Sequence, residues 1–432
     1  MKIVQIIPGS GGSFYCGNCM RDSKYIHALR SQGLDVVIVP MYLPLFPKEE
    51  NPEPVPVFYG AVNLYLKQLF PWFEKAPKWI LKALNSKRML SFAAKMANST
   101  RATGLEEMTI SMLQGETGRQ REELDHLVNW LKNHYKPDVI HISNALLLGL
   151  VHALKKELNV PVVCTLQDED VWVDVMSEAT REFTWKLMQE KAKEVDLFIS
   201  VSRYFTDYMR AQLALPEEQV ATLHLGVDPA DYTYKPASEK QPSVGFLSRL
   251  CAENGLDILV NAFILLKQMP GNKSVRLYLT GGQTADDTHF IAEQRKKWTK
   301  AGLAESVELL EKFDSDDRQA FFDKVSVLSV PVKKGEAFGI YLTEAMAAGI
   351  PIVQPALGAF PEIVEVSQGG VIYSPNTPEA LAEALNALLN DSETLERLGK
   401  NARNSVESTF NLQVLASKMA GLYEQTLRSY KP

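Results

Sequence analysis

Residues 1–12, MKIVQIIPGSGG, join a short apolar run to a glycine-rich turn. The run 2–7 is typical of a strand buried in a parallel sheet, and Pro8 begins the turn that ends it. Helical spacing through Tyr25 and Leu29, followed by a second apolar run at 34–39, completes a strand-helix-strand unit. This unit predicts an α/β fold with a parallel sheet.

The same alternation of apolar runs and helical patterns continues along the chain. Further strands are predicted at 138–142, 160–165, 196–201, 244–247, 274–280, 307–310, 325–330 and 350–354. The stretch 228–243 contains three prolines and little periodicity, and it predicts a linker. We therefore expect two doubly wound, Rossmann-like domains, 1–230 and 231–432, with a last helix at about 412–430.

Composition restricts the class of protein. Of the 432 residues, 46% are hydrophobic and 23% are charged, which excludes a disordered or collagen-like chain. The net charge of −6 argues against nucleic acid as the main partner. Four cysteines in a chain of this length do not indicate a disulfide framework. No stretch has the pattern of a signal peptide or a membrane span, so we expect a cytoplasmic protein.

Residues 60–130 carry helical patterns without strand signals and predict an insertion in the first domain. Within it, the segment 61–97 has seven Lys or Arg residues against one acid, with aromatic residues interleaved. Such a segment suits peripheral contact with the inner face of a membrane or with an amphiphilic acceptor. The alternative is an insertion that packs its aromatic residues on the core, and Pro71 and Pro77 favour it because they divide the segment into short helices.

Two motifs follow the first strand. Gly11 and Gly12 would let backbone N–H groups approach a phosphate, but the turn lacks the full G-x-G-x-x-G pattern, which argues against an NAD-dependent dehydrogenase. Cys16 and Cys19 form a CxxC pair without the two further ligands that a structural metal site needs. For the glycine turn, a purely structural role remains the alternative. For the cysteine pair, a structural role in the loop is favoured, and the alternative is a thioredoxin-like redox role, which would need a thiolate of low pKa.

The most specific stretch is KKGEAFGIYLTEAMAAGIP at residues 333–351. It places two carboxylates, Glu336 and Glu344, eight positions apart, and a helix is predicted to start near Gly339. The free N–H groups at the start of such a helix suit a phosphate, and the carboxylates suit ribose and sugar hydroxyls. From the residues alone, a loop glutamate and a glutamate that complements the helix dipole remain the alternative.

This stretch resembles the E-x7-E signature of the retaining glycosyltransferases of family 4. Further segments are similar to that family: FLSRLCAENGL at 246–256, HLGVD at 224–228, VSR at 201–203 and GAFPE at 358–362. The similarity is good from about residue 136 onward and weak over 40–135. It implies a GT-B fold, in which two Rossmann-like domains face a cleft and the last helix crosses back to the first domain.

The resemblance also implies the roles of particular residues. Arg249 would neutralise the departing diphosphate, Glu336 would lie beside the donor sugar, and Glu344 would bind the nucleotide ribose. His141 would line the acceptor side. The implied catalytic residues are Glu336, Arg249 and His141, and the implied donor-binding residues are Gly11, Gly12, Arg249, Asn254, Glu336, Ala337, Phe338, Gly339, Ile340 and Glu344.

Four positions depart from the family pattern. Asn254 stands where the family has a lysine, and Ser248 stands where it has a glycine. Gln167 replaces a histidine of many members, and Ala359 replaces the second glycine of a pair. A cation that would face the departing diphosphate is therefore missing, which puts the choice of donor in doubt. One hypothesis is that a neighbouring lysine, Lys333 or Lys334, replaces it.

The resemblance implies transfer of a hexose from a nucleotide sugar to a carbohydrate or lipid-linked acceptor hydroxyl, with retention and without a metal or other cofactor. The acidic stretches 168–170 and 286–287 are predicted to be loops rather than metal ligands. One alternative is a nucleotide-sugar-binding protein with weakened or lost catalysis, which Asn254 and Gln167 favour. Others are a sugar-nucleotide epimerase or phosphorylase, and a membrane-associated scaffold that uses 61–97.

Overall fold

The computed structural model describes residues 1–8, 17–42, 55–59, 106–312 and 315–431 of the chain. These residues form two compact units. The first takes its residues from within Met1–Gly12, Asn18–Leu223 and Ala416–Pro432, and the second from within Ser13–Gly17 and His224–Leu415. The last helix begins in the second unit and ends in the first.

The first unit contains a six-stranded parallel sheet with the order β2-β1-β3-β4-β5-β6. Its strands are β1 (Lys2–Ile7), β2 (Asp35–Pro40), β3 (Val139–Ile142), β4 (Val162–Leu166), β5 (Leu197–Ser200) and β6 (Val220–Thr222). The four positions of β3 and the five of β4 are all buried, as expected for central strands that helices cover on both faces. The edge strand β6 has no buried position.

Helices connect these strands. They are α1 (Gly17–Ser31), α2 (Glu106–Gln114), α3 (Arg121–Trp130), α4 (Val151–Leu158), α5 (Glu169–Val173), α6 (Glu178–Ala192) and α7 (Arg203–Leu213). The described part of the predicted insertion, from residue 106 onward, is helical as expected. A 3-10 turn, Ala145–Leu150, precedes α4 where one continuous helix was expected.

The second unit contains a parallel sheet with the order β12-β11-β10-β7-β8-β9. Its strands are β7 (Ser243–Leu247), β8 (Arg276–Thr280), β9 (Val307–Leu309), β10 (Val327–Leu328), β11 (Ile352–Pro355) and β12 (Gly370–Tyr373). Its helices are α8 (Leu256–Leu266), α9 (Thr288–Lys300), α10 (Ser315–Lys324), α11 (Ile340–Ala347), α12 (Phe360–Ser367), α13 (Pro378–Leu389), α14 (Ser392–Ser408) and α15 (Leu412–Ser429). The prediction of two doubly wound parallel sheets is confirmed.

One strand prediction needs correction, and two strands were missed. The predicted strand 325–330 is shorter, because only the two residues of β10 belong to it. Ser329 N still donates to Gly245 O of β7 at 3.0 Å, but side-chain oxygens replace backbone acceptors at Ser326 and Val330. Before β10, the backbone N–H of Ser326 donates to Ser243 Oγ, and after it the N–H of Val330 donates to Gln354 Oε1. The edge strands β6 and β12 were not predicted at all.

The stretch 228–243, predicted to be a linker, packs on the second unit. Two 3-10 turns, Pro229–Asp231 and Ala237–Glu239, give it local structure. Tyr232 is buried, and the buried Lys240 donates from Nζ to the carbonyl oxygens of Phe322 and Val325. This stretch is therefore part of the second unit's core.

A buried polar contact fixes α15 to the first sheet. The His141 side chain, on β3, is 1% exposed and the Tyr423 side chain, on α15, is fully buried. Tyr423 Oη lies 2.6 Å from His141 Nδ1, and Thr165 Oγ1 lies 2.7 Å from His141 Nε2. Both ring nitrogens of His141 therefore have partners within the core.

We expect Tyr423→Phe to lower the free energy of unfolding by about 1–3 kcal/mol, because it leaves a buried nitrogen of His141 without its partner. Urea unfolding would measure the change. The control is Tyr430→Phe, because that tyrosine is partly exposed, contacts Lys155 through its ring and should cost less than about 0.5 kcal/mol. Equal losses in both variants would contradict a stabilising role for the contact.

Candidate active site

The second sheet reverses its strand order between β7 and β10, which pair directly in parallel. Ligands of open α/β sheets bind beyond the carboxyl ends of the strands at such a point. The loops that leave β7 and β10 there touch each other. Gly255, with φ +75°, lies so close to the carbonyl of Pro331 that no Cβ would fit. This close approach brings the segment after Arg249 next to the segment before Glu336.

The loop after β11 holds the backbone of Glu336. Ala359 N donates to Glu336 O at 3.0 Å, and Gly358, with φ +57°, lies against the backbone of Glu336 where a Cβ would collide. Gly339, with φ +83°, then begins α11. The side chains of Ala337, Phe338 and Ile340 are buried, so their backbone groups are what a ligand could bind.

Glu344, on α11, is 1% exposed and lies in a polar cluster within the second unit. The hydroxyl of Tyr232 donates to Glu344 Oε1 at 2.6 Å, and Arg318 Nε lies 3.6 Å from the same oxygen. Burial, followed by the neighbouring Glu344 carboxylate, raises the pKa of Tyr232 well above its ordinary value. The carboxylate is therefore fixed by neighbours that the sequence did not reveal.

Arg249 follows β7 and makes a bidentate ion pair with Asp287. Its Nε lies 2.9 Å from Asp287 Oδ2 and its Nη2 lies 2.8 Å from Oδ1. The hydrogen bond to Asp287 raises the pKa of Arg249. Burial alone would raise the pKa of Asp287, but the hydrogen bonds from Arg249 and Thr284 hold it below its ordinary value. The pair is therefore fully charged at neutral pH.

Asn254, the residue in place of a lysine, fixes the turn that carries Arg249. Its Nδ2 donates to Ser248 Oγ at 2.8 Å and to the carbonyl oxygen of Arg249 at 3.1 Å. The side chain that replaced the cation thus has a structural role, and it uses the hydroxyl of Ser248, which also departs from the family pattern.

The two lysines before Glu336 differ in their surroundings. Lys333 Nζ lies 2.9 Å from Asp257 Oδ2, whereas Lys334 is exposed and has no ion pair within the described ranges. Of the two lysines considered as a replacement cation, Lys334 is therefore the one whose charge is not already neutralised.

The first unit places its predicted residues at the carboxyl edge of its own sheet. Gln167, after β4, donates from Nε2 to Ser143 O at 2.8 Å, and Glu169 accepts from Ala145 N at 2.8 Å and from Gln167 N at 2.7 Å. His141 is buried and bonded to Tyr423 and Thr165, as described above. This is the geometry of a structural residue, and a role for His141 on the acceptor side remains a prediction.

Two predictions of loops were wrong. Glu169 begins the short helix α5, and Asp287 ends the 3-10 turn Ala285–Asp287 that leads into α9. Within the ranges that the structure describes, no group of three or more His, Cys, Asp or Glu is arranged to hold a metal ion.

Several predicted features lie outside the described residues. They are Gly11, Gly12, Cys16 and the segment 61–97. Cys19 falls within α1. Over the part of the chain that is described, no helix is both long and apolar enough to cross a bilayer.

Tyr232 and Arg318 were not singled out from the sequence, and Asp287 was considered only as part of an acidic loop. Asp287 had a usable signal, because Thr284 and Asp287 have the spacing of a capping box, and both of its reciprocal hydrogen bonds are present. Tyr232 and Arg318 had none, because they lie 112 and 26 positions from Glu344 in an otherwise ordinary context.

Two family models match the chain in succession. Residues 113–231 match the model described as Glycosyltransferase Family 4, and residues 233–405 match Glycosyl transferases group 1. The D-inositol 3-phosphate glycosyltransferase of Corynebacterium glutamicum (strain R) is 26% identical over 189 residues, which are 43% of each chain. A colanic acid biosynthesis glycosyltransferase of Escherichia coli (strain K12) is 27% identical over 260 residues, which are 58% of this chain and 61% of that protein. The chain therefore spans about half the length of these two relatives.

Solved structures share the fold over nearly the whole chain. Sucrose-phosphate synthase from Thermosynechococcus elongatus has a TM-score of 0.72 at 20% identity and covers 100% of both chains. HepE from Anabaena, solved in complex with UDP-glucose, has a TM-score of 0.69 at 16% identity, over 98% of this chain and 100% of that one. The solved structures show that the chain has the GT-B fold, and the two family models together show that it belongs to the family 4-like glycosyltransferases.

Proposed function

We propose that the protein transfers a hexose from a nucleoside diphosphate sugar to an acceptor hydroxyl, with retention of configuration and without a metal ion. The observation that carries the proposal is the placement of Arg249 and Glu336 on adjoining loops at the strand reversal of the second sheet, with Glu344 on the helix α11 that follows. The acceptor that we propose is a carbohydrate or a lipid-linked compound. The inositol phosphate in the name of one relative supports a hydroxyl-rich acceptor.

In the proposed reaction, the bond between the anomeric carbon and the diphosphate oxygen breaks. The acceptor oxygen forms its bond to that carbon on the same face, and its proton passes to the departing diphosphate. The protein contributes position and electrostatics. Arg249 stabilises the charge that develops on the diphosphate, Glu344 binds the ribose, and Glu336 orients the donor sugar.

A nucleotide-sugar-binding protein with weakened or lost catalysis is the second candidate. Two observations favour it. Asn254 supplies no charge at the position of the missing lysine, and the charge of Arg249 is balanced by Asp287. Donor hydrolysis separates the two candidates, because an active transferase also transfers its sugar to water slowly.

The donor site is tested first by thermal shift with UDP-, GDP- and ADP-sugars and the free diphosphates. A ligand that binds only the folded protein at a hundredfold excess over Kd stabilises it by about 2.7 kcal/mol. We expect one base to be selected, and we expect Glu344→Gln to abolish the shift. Glutamine is preferred to alanine because its oxygen still accepts from Tyr232 in the buried cluster.

The matched variant is Glu336→Gln. Because Glu336 is proposed to contact the sugar, this variant should keep the shift with the free diphosphate and lose donor hydrolysis. No shift of the wild-type protein with any nucleotide would contradict the proposed function.

We expect Asn254→Lys to raise the rate of donor hydrolysis about tenfold, because one added cation facing the diphosphate contributes on the order of 1.4 kcal/mol to the transition state. A lysine ammonium can still donate to the carbonyl of Arg249. Steady-state release of the diphosphate would measure the rate. Asn254→Gln, which adds no charge, is the control. An unchanged or lower rate in the lysine variant would contradict the hypothesis that Asn254 lowers activity by removing a cation from the site.

Lys334→Ala should weaken binding of the selected nucleoside diphosphate up to about fivefold at low salt, with less effect at high salt. Lys333→Ala should have little effect, because Lys333 is paired with Asp257. Isothermal titration calorimetry at two salt concentrations would compare them. Equal affinities of the two variants for the nucleoside diphosphate would show that Lys334 does not contribute to its binding.

A further inference from the structure

The guanidinium group of Arg249 is bound on one side. Arginine has five N–H groups, and two of them, on Nε and Nη2, face the carboxylate of Asp287. Nη1 makes no hydrogen bond within the residues that the structure describes, and the side chain is 23% exposed. The end of the guanidinium, formed by Nη1 and the second N–H of Nη2, therefore remains available for an anion.

Asp287 is itself rigidly held. It is 3% exposed, and its Oδ2 accepts from both the backbone N–H and the hydroxyl of Thr284 at 2.7 Å. With the two bonds from Arg249, the two carboxylate oxygens accept four hydrogen bonds. Asp287 is therefore a fixed support and not a mobile surface carboxylate.

The turns after β7 and β8 are also joined through the backbone. Ser248 N donates to Thr280 O at 3.2 Å, and Leu250 N donates to Gly282 O at 3.0 Å. Gly281 lies against the backbone of Ser248 without room for a Cβ. The turn that carries Arg249 is thus fastened to the turn that leads to Asp287, so the ion pair joins two segments of fixed relative position.

We propose that Asp287 is a positioning residue for donor binding, which holds Arg249 side-on so that the end of its guanidinium group faces the diphosphate. The inference rests on the proposed function of Arg249. A free arginine side chain loses much rotamer freedom when it binds phosphate, and the pair with Asp287 removes that freedom before the donor arrives. With Asn254 in place of a cation, the orientation of Arg249 matters more than it would beside a lysine.

The test compares the nucleoside diphosphate and monophosphate of the base selected in the thermal-shift panel. Asp287→Asn should weaken diphosphate binding about tenfold, because its amide can accept from only one of the two N–H groups and repels the other. Monophosphate binding should stay within about twofold. Arg249→Ala should show the same selective loss, and the double variant should bind the diphosphate no more weakly than Arg249→Ala alone.

Thr284→Ala is the matched control. It removes one hydrogen bond to Asp287 and weakens the cap of the 3-10 turn that leads into α9, but it leaves the ion pair in place. We expect lower thermal stability with unchanged diphosphate affinity. If Asp287→Asn does not fold, Asp287→Glu keeps the charge and moves the carboxylate by one methylene, and a selective loss of diphosphate affinity is again expected.

The outcomes separate the positioning role of Asp287 from the donor-binding role of Arg249 and from the proposed function. Unchanged or tighter diphosphate binding by the Asp287 variants, or parallel losses for both nucleotides, would overturn the positioning role. If Arg249→Ala leaves diphosphate binding intact, the role proposed for Arg249 fails, and that of Asp287 fails with it. If the wild-type protein binds no nucleoside diphosphate, the proposed function itself is overturned.

Discussion

The parallel sheet of the second unit reverses its strand order between β7 and β10, and the candidate site depends on that reversal. In open α/β sheets, the loops at such a reversal turn toward opposite helix layers and leave a crevice at the carboxyl edge. Glycine permits the segments around it to approach closely, as Gly255 does beside Pro331 and Gly358 does beside Glu336. Chemistry-bearing side chains separated by almost a hundred positions are thereby collected on one edge.

Burial accounts for several of the strands that could be predicted from the sequence. β4 and β7 are buried throughout and therefore form continuous apolar runs. Among the edge strands, β6 has no buried position and β12 has one, and neither was predicted. The edge strand β9 also has no buried position, but its apolar run at 307–310 was enough to predict it. The run 325–330 led to a strand prediction that was too long. Its apolar residues are buried whether or not they join the hydrogen-bonded ladder of the sheet.

Side-chain pairs that are distant in sequence limit how much of the candidate site could be predicted. The motif around Glu336 and Glu344 could be recognised because its residues are close in sequence and its helix begins directly after Gly339. The partner of Glu344, Tyr232, is 112 positions away, and no spacing rule connects them. Asp287 could have been singled out by a local spacing rule, because Thr284 and Asp287 form a capping box. That rule predicts a helix start, whereas the ion pair with Arg249 needs the fold.

Charge balance at this edge bears on how the protein could stabilise a diphosphate. Arg249 is matched by Asp287 and Lys333 by Asp257, and Asn254 contributes no charge. A site that relied on net positive potential would gain by removing those carboxylates. A site that relies on preorganisation would lose, because a fixed donor needs no reorganisation when charge develops. The hydrogen bonds that hold Asp287 favour the second principle, since they stabilise the carboxylate in place and in its charged form.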